Sequence, residues 1–206
     1  MSFEAAITFF IAIFIFAITP GPGVFAILAR ALTSGAKSCF SLAFGIAISD
    51  ILYLLMATLG LATIAENWSG LFIFIRLFGA AYLIYLGWKM WTIKIDPLVE
   101  NNSKTSARLW LSGFIQGFLI SASNPKVILF YIAFLPTFMD LSALNQSDII
   151  FASALTLFAL MMGLMLIAFS AASARQKFQS KQATKRLNRS AGSIMIGAGL
   201  FLALRR

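Results

Sequence analysis

The stretch Ile18-Thr19-Pro20-Gly21-Pro22-Gly23-Val24 interrupts an apolar run that extends from Ala5 to Leu32. A second run, Leu109 to Phe138, is interrupted by Ser123-Asn124-Pro125-Lys126. As straight helices the two runs would reach about 42 and 45 Å at 1.5 Å per residue. A bilayer core is about 30 Å thick. Proline lacks an N–H and clashes with the preceding turn, so each helix must kink or unwind near its middle. Backbone freed inside a membrane persists where it is buried in protein or lines a cavity. A pair of such breaks in corresponding positions points to the binding site of a transporter.

The rest of the composition agrees. Apolar residues make up 60% of the 206-residue chain and charged residues 11%, against about 45–50% and 25% in soluble domains. That gap excludes an ordinary soluble fold. With one cysteine, Cys39, and no histidine, an intramolecular disulfide and an imidazole-based metal or acid–base site are excluded. No metal or cofactor is expected, and Cys39 is expected to pack. The formal charge of +9 reads as topology and attraction to anionic membrane lipid, not as a nucleic-acid surface.

Six spans are expected, near 3–30, 40–64, 70–92, 109–138, 149–174 and 190–204. The fold class is therefore all-α integral membrane, a single domain over 1–206. A polar linker, 93–108, separates pseudo-repeats 1–92 and 109–206. Three spans per half force the halves to insert in opposite directions, which is a 3+3 inverted repeat with helices one and four broken. Twelve of the sixteen Lys and Arg fall in the loops after spans one, three and five, from Arg30 and Lys37 to Arg186 and Arg189. Those loops are then cytoplasmic, and both termini periplasmic. No positive charge precedes the first apolar run, unlike a secretory signal peptide.

Asp50 falls about 15 Å into span two. A carboxylate at that depth is costly and is by default a functional group; the alternative is a structural partner of Lys126 or of unwound backbone. Lys126 follows the second break directly. It suits either a substrate carboxylate, an ion pair with Asp50, or the free carbonyls of the half-helix before the break. The breaks themselves add Pro20, Pro22, Gly23 and Pro125, with Thr19, Gly21 and Asn124 beside them as substrate-binding or coupling candidates. Half-helices that start after Pro22 and Pro125 present free N–H groups. Arg76 is read as snorkelling or meeting Glu66. Gly45, Ser49, Gly79 and Gly87 read as close helix packing, Met161, Met162 and Met165 as filler, and Trp68, Trp88, Trp91 and Trp110 as an interfacial belt.

The order of Thr19-Pro20-Gly21-Pro22, Gly35, Gly45, Asp50, Gly60-Leu61 and Gly79 through Trp88 resembles the first half of the lysine-exporter (LysE/RhtB) family. Phe114, Gly117-Phe118, Asn124-Pro125-Lys126, Phe130 and Phe134-Leu135-Pro136 resemble the second half. Ser49 departs from the glycine common before the aspartate, and remains small. The resemblance implies a six-span bacterial inner-membrane exporter of amino acids driven by the proton motive force. One buried acid and one buried base favour a neutral amino acid, of the homoserine, threonine or leucine type, over a cationic one. Amino acid, protons and membrane lipid are the expected partners, and the oligomeric state, homo-oligomers included, stays open. An uncoupled channel or permease is the second reading. An intramembrane enzyme is a distant third, because a single deep Asp without His offers no paired acid–base set.

Reporter fusions at Arg206 and within 93–108 test the orientation. The first should report a periplasmic and the second a cytoplasmic location; a cytoplasmic C-terminus would refute the six-span arrangement.

Overall fold

The computed structural model describes residues 1–58, 69–92, 106–131, 145–174 and 181–204. Among these, every regular element is helical. In chain order they are α1 (Phe3–Ile18), α2 (Pro22–Ser34), a short 3₁₀ turn (Ala36–Cys39), α3 (Phe40–Thr58), α4 (Ser69–Thr92), α5 (Ser106–Ala122), α6 (Pro125–Leu129), α7 (Gln146–Ala174) and α8 (Lys181–Leu204). Glu66, Trp68, Gly60-Leu61, Phe134-Leu135-Pro136 and the linker residues 93–105 lie outside the described residues, as does the side chain of Arg76.

Local chemistry sets most boundaries. Ser2 caps α1 by accepting from the Ala5 N–H at 3.2 Å, the ordinary role of a serine N-cap. At the far end Thr19 sits before Pro20 and adopts extended backbone (φ −67°, ψ 129°), as residues before proline do. Pro22 occupies the first turn of α2, where its missing N–H costs nothing. The axes of α1 and α2 bend by 61° across this break. Gly35 ends α2 at φ 83°, a left-handed conformation that glycine adopts without strain. Cys39 is buried behind it, its thiol directed at the Ile27 carbonyl at 3.6 Å.

Among the described residues, two helical stretches are long and apolar enough to cross a membrane, Ala36–Thr58 and Gln146–Ala174, or three if the bent pair α1–α2 counts as one. The outer faces are apolar too. On α1, Phe3, Ile7, Ile11, Ile15 and Ile18 are exposed while Phe9, Ile13 and Ala17 are buried. A helix apolar all round is one made for lipid or a core, and an exposed stripe of this kind in water would be an association surface.

Glycines set the closest helix crossings. A Cβ on Gly45 of α3 would lie 2.0 Å from the Phe114 carbonyl oxygen, and one on Gly117 of α5 would lie 2.0 Å from that of Leu42. The backbones of α3 and α5 therefore touch directly, as small residues allow in membranes. Gly87 of α4 and Gly192 of α8 meet likewise, each added Cβ falling 2.5–2.6 Å from the other's carbonyl oxygen. Trp91 closes the same seam by donating to the Arg189 carbonyl at 2.9 Å and the Ser193 hydroxyl at 3.1 Å. Gly163 of α7 faces Ala17 and the Phe14 carbonyl of α1. Gly45 and Gly87 thus do the packing expected of them; Gly79 lies outside the described side chains.

Two expectations need correction. Lys181, Lys185, Arg186 and Arg189, read as a polar loop, belong to α8. No glycine or proline interrupts Lys181–Ala191, and Lys, Gln, Ala, Arg and Leu are all good helix formers, so the polar segment continues the apolar one. Arg30, read as a loop charge, is a half-buried residue of α2.

Gly45→Ala and Gly117→Ala should each lower the melting temperature in detergent by several degrees, because carbonyl oxygens cannot yield to a Cβ. Gly197→Ala, where nothing lies within 4 Å, should leave it unchanged or raise it, since alanine is the better helix former by about 1 kcal/mol. Equal shifts for all three would show that the seams do not govern stability.

Candidate functional site

Each proline leaves a carbonyl four residues earlier without its helical partner. For Pro20 that carbonyl is Phe16; for Pro125 it is Ser121. The chain answers the second locally, with Asn124 N–H donating to the Ser121 carbonyl at 2.9 Å. It answers the first across the fold. The Lys126 ammonium donates to the Phe16 carbonyl at 2.7 Å and to the Thr19 carbonyl at 2.7 Å. It also sits 4.2 Å from the centre of the Phe16 ring, a cation–π contact. Lys126 therefore caps the C-terminal end of α1, not that of α5, the half-helix the sequence reading offered.

Asn124 positions this lysine. Its side-chain carbonyl accepts the Lys126 N–H at 3.1 Å and caps α6. Gly21, the N-cap of α2, is extended (φ −176°), a conformation open to any residue. What needs glycine there is space: a Cβ would come within 3.3 Å of the Lys126 stem. So the two breaks touch, Gly21 against Lys126.

Asp50 is fully buried. Its Oδ1 accepts from the Ser121 hydroxyl of α5, while Oδ2 has no hydrogen-bond partner among the described residues. The Tyr131 hydroxyl approaches both Asp50 and Thr156 without completing a hydrogen bond to either. Oxygens of Thr156 and Ser49 are also buried and unpartnered. Tyr53, one turn on from Asp50, stacks on Tyr131 with centroids 6.3 Å apart and donates to the Ala122 carbonyl at 2.6 Å. That carbonyl is the one whose helical donor would be Lys126 N–H, now taken by Asn124.

A cavity of about 30 Å³ lies against Asp50 and Ser121 of this cluster. Gly21, Gly23, Asp50, Ser121, Asn124 and Lys126 line one side, and Leu160 and Leu164 of α7 the other. Among the described residues the one ion pair joins the Met1 amino group and Asp148; Asp50 and Lys126 face the cavity without pairing. Of the sequence candidates, Asp50, Lys126, Asn124, Gly21 and Gly23 converge here. Thr19 contributes its carbonyl from the exposed side, Pro22 is buried behind Gly21, and Pro20 is exposed. The side chain of Pro125 lies outside the described residues. Ser121, Tyr131 and Thr156 were not foreseen; the signal for Ser121 was its place three residues before Asn124.

A second, larger cavity of about 640 Å³ opens between α2, α4 and α5, with Arg30, Lys89 and Arg108 on its wall.

Apolar helices, seams of glycine and a buried acid–base cavity where helices break define a membrane translocator. The chain belongs to the family described as LysE type translocator, which matches residues 14–206. It is 31% identical over 202 residues to the leucine efflux protein of Enterobacter sp. (strain 638), covering 95% of this chain and 93% of that one. It is 33% identical over 140 residues to the leucine efflux protein of Klebsiella pneumoniae, covering 68% and 66%. It is 31% identical over 191 residues to the uncharacterized membrane protein YrhP of Bacillus subtilis, covering 89% and 90%. No solved structure matches the chain. As a translocator it is a transporter rather than an enzyme.

Lys126→Met should leave the Phe16 and Thr19 carbonyls without their donor and cost about 1.5–3 kcal/mol, read as a fall in detergent melting temperature. Lys126→Arg should recover part of it. A Lys126→Met protein as stable as the parent would show that water serves those carbonyls equally well.

Proposed function

We propose that the chain is a proton-coupled exporter of neutral amino acids of the leucine class in a bacterial inner membrane. In this reading α1–α2 and α5–α6 are the broken first and fourth spans of a six-span 3+3 inverted repeat. The carrying observation is the cavity where both breaks meet around one acid and one base. An amino acid offers one ammonium and one carboxylate, which Asp50 and the Lys126 and α2 N-terminal end can take respectively. The names of the leucine efflux relatives support the substrate class. The packing supports the repeat: α3 lies on α5 through Gly45 as α7 lies on α1 through Gly163, and α4 pairs with α8. Those are the contacts that a two-fold exchange of halves generates.

Asp50 supplies the coupling. Facing the periplasm, where protons are abundant, it takes a proton, loses its charge and releases the substrate ammonium. Facing the cytoplasm it gives the proton up and attracts the next ammonium. A cavity of about 30 Å³ holds about one water, so the central site is shut here. It must widen for substrate, since small-molecule pockets run to about 300–1,000 Å³. By the distribution of basic residues, the larger cavity beside Arg30, Lys89 and Arg108 faces the cytoplasm.

Asp50→Asn keeps size and hydrogen bonding but cannot titrate. The variant should insert normally and lose leucine export driven by a pH gradient in proteoliposomes, down to the level of protein-free liposomes. Retained downhill exchange would assign Asp50 to coupling alone. Full gradient-driven export would sink the role of Asp50 and favour an uncoupled permease.

A further inference from the structure

We propose that the cavity at Arg30 is a loading site on the cytoplasmic face, where the guanidinium takes the carboxylate of the amino acid before it reaches Asp50. This rests on the exporter reading above. The cavity, about 640 Å³, lies within the range of small-molecule sites. Among the described residues its wall carries Arg30, Lys89 and Arg108 and no acidic side chain, so the field of these residues favours an anionic group. Apolar side chains such as Leu42, Leu86, Ile115 and Leu119 fill the rest of the wall. A carboxylate attached to an aliphatic side chain fits that mixture.

Arg30 differs from the other two cations. Lys89 and Arg108 are exposed, whereas Arg30 is half-buried. Its Nη2 donates to the Gln116 side-chain carbonyl at 3.3 Å. Its Nη1 lies against Gly113 so closely that a Cβ there would come within 2.8 Å. The guanidinium is thus held by α5 with further N–H groups left over, and a planar fork is suited to bidentate carboxylate binding. Lys89 and Arg108 act at the rim, where charge speeds arrival more than it holds the ligand.

The two cavities lie along the same helices, with no lining residue in common. On α2, Arg30 and Ala26 border the larger one, and Gly23 and Gly21 border the smaller. On α3, Leu42 borders the larger and Ile46 and Asp50 the smaller, at steps of four residues along one face. The path from Leu42 to Asp50 is about 12 Å along the helix. Ile46 lines the smaller cavity and packs on Gly23, 3.3 Å from where a Cβ would stand, and lies midway between Leu42 and Asp50 along α3. A substrate would be captured at Arg30 and handed past Ile46.

The test uses radiolabelled leucine and the full chain. In inside-out vesicles, Arg30→Gln and Gln116→Leu should raise KM by about tenfold or more, with the maximal rate largely kept. In right-side-out vesicles, where leucine reaches the carrier from the other face, KM for counterflow should stay at the parental value. Gln116→Leu keeps all charges and covers the case in which Arg30→Gln fails to fold. An equal rise from both faces would overturn the assignment and make Arg30 part of the central site or of the scaffold. So would an unchanged KM. If the guanidinium instead holds a lipid phosphate, the parent will need phosphatidylglycerol over pure phosphatidylcholine in proteoliposomes. Arg30→Gln will then abolish that need without moving KM, which would also overturn it. A parent that moves no amino acid in any vesicle would refute the exporter reading itself, and this assignment with it.

Discussion

A single ammonium holds the two interrupted helices together. Pro20 cannot donate to Phe16, and the turn at Thr19 leaves a second carbonyl free. In a membrane no water would reach them cheaply, so a donor must come from the protein. Lys126 provides it, and it stands where it does because Asn124 and Pro125 start a new helix one residue before it. Each break thus depends on the other: the proline of one creates the demand, and the geometry of the other delivers the donor. The lysine stem lies against Gly21, 3.3 Å from where a Cβ would stand, so a larger residue there would press on it.

The same logic explains why Asp50 tolerates full burial. Its carboxyl sits beside the second break, where Ser121 can reach it and where Tyr53 takes up the carbonyl that the break released at Ala122. Lys126 is near enough to act on it through space, with two of its three N–H groups held by carbonyls at the end of α1. The acid is left with one oxygen free and facing a cavity. An ion pair would have fixed both groups; their separation leaves both available.

Much of this was legible in the residues. Prolines inside over-long apolar runs mark where α1 gives way to α2 and α5 to α6, and the lone carboxylate of Asp50 and the lone ammonium of Lys126 stand out among apolar neighbours. Both signals are strong because each carries a large penalty in lipid. Ser121, Tyr131 and Thr156 gave no such signal: neutral hydroxyls are common in membrane helices, and only the fold brings them to Asp50. The chain likewise could not say which broken helix Lys126 caps, because that contact spans 110 residues. Arg30 reads as a loop charge from the residues alone, because its partner Gln116 is 86 residues away in the chain. The polar start of α8 lacks a helix breaker, so propensity carries the helix through a segment whose charge alone suggests a loop.

The glycine seams have a mechanical consequence. Where backbone rests on backbone, as at Gly45 with Phe114 and Gly87 with Gly192, there is no long side chain to flex or change rotamer. Such pairs resist shear and move as stiff struts. Compliance is then concentrated where regular hydrogen bonding stops, at Thr19–Gly21 and Ser123–Asn124. These are also the joints that Lys126 spans, so one side chain acts as a tie-rod across two hinges set between rigid beams.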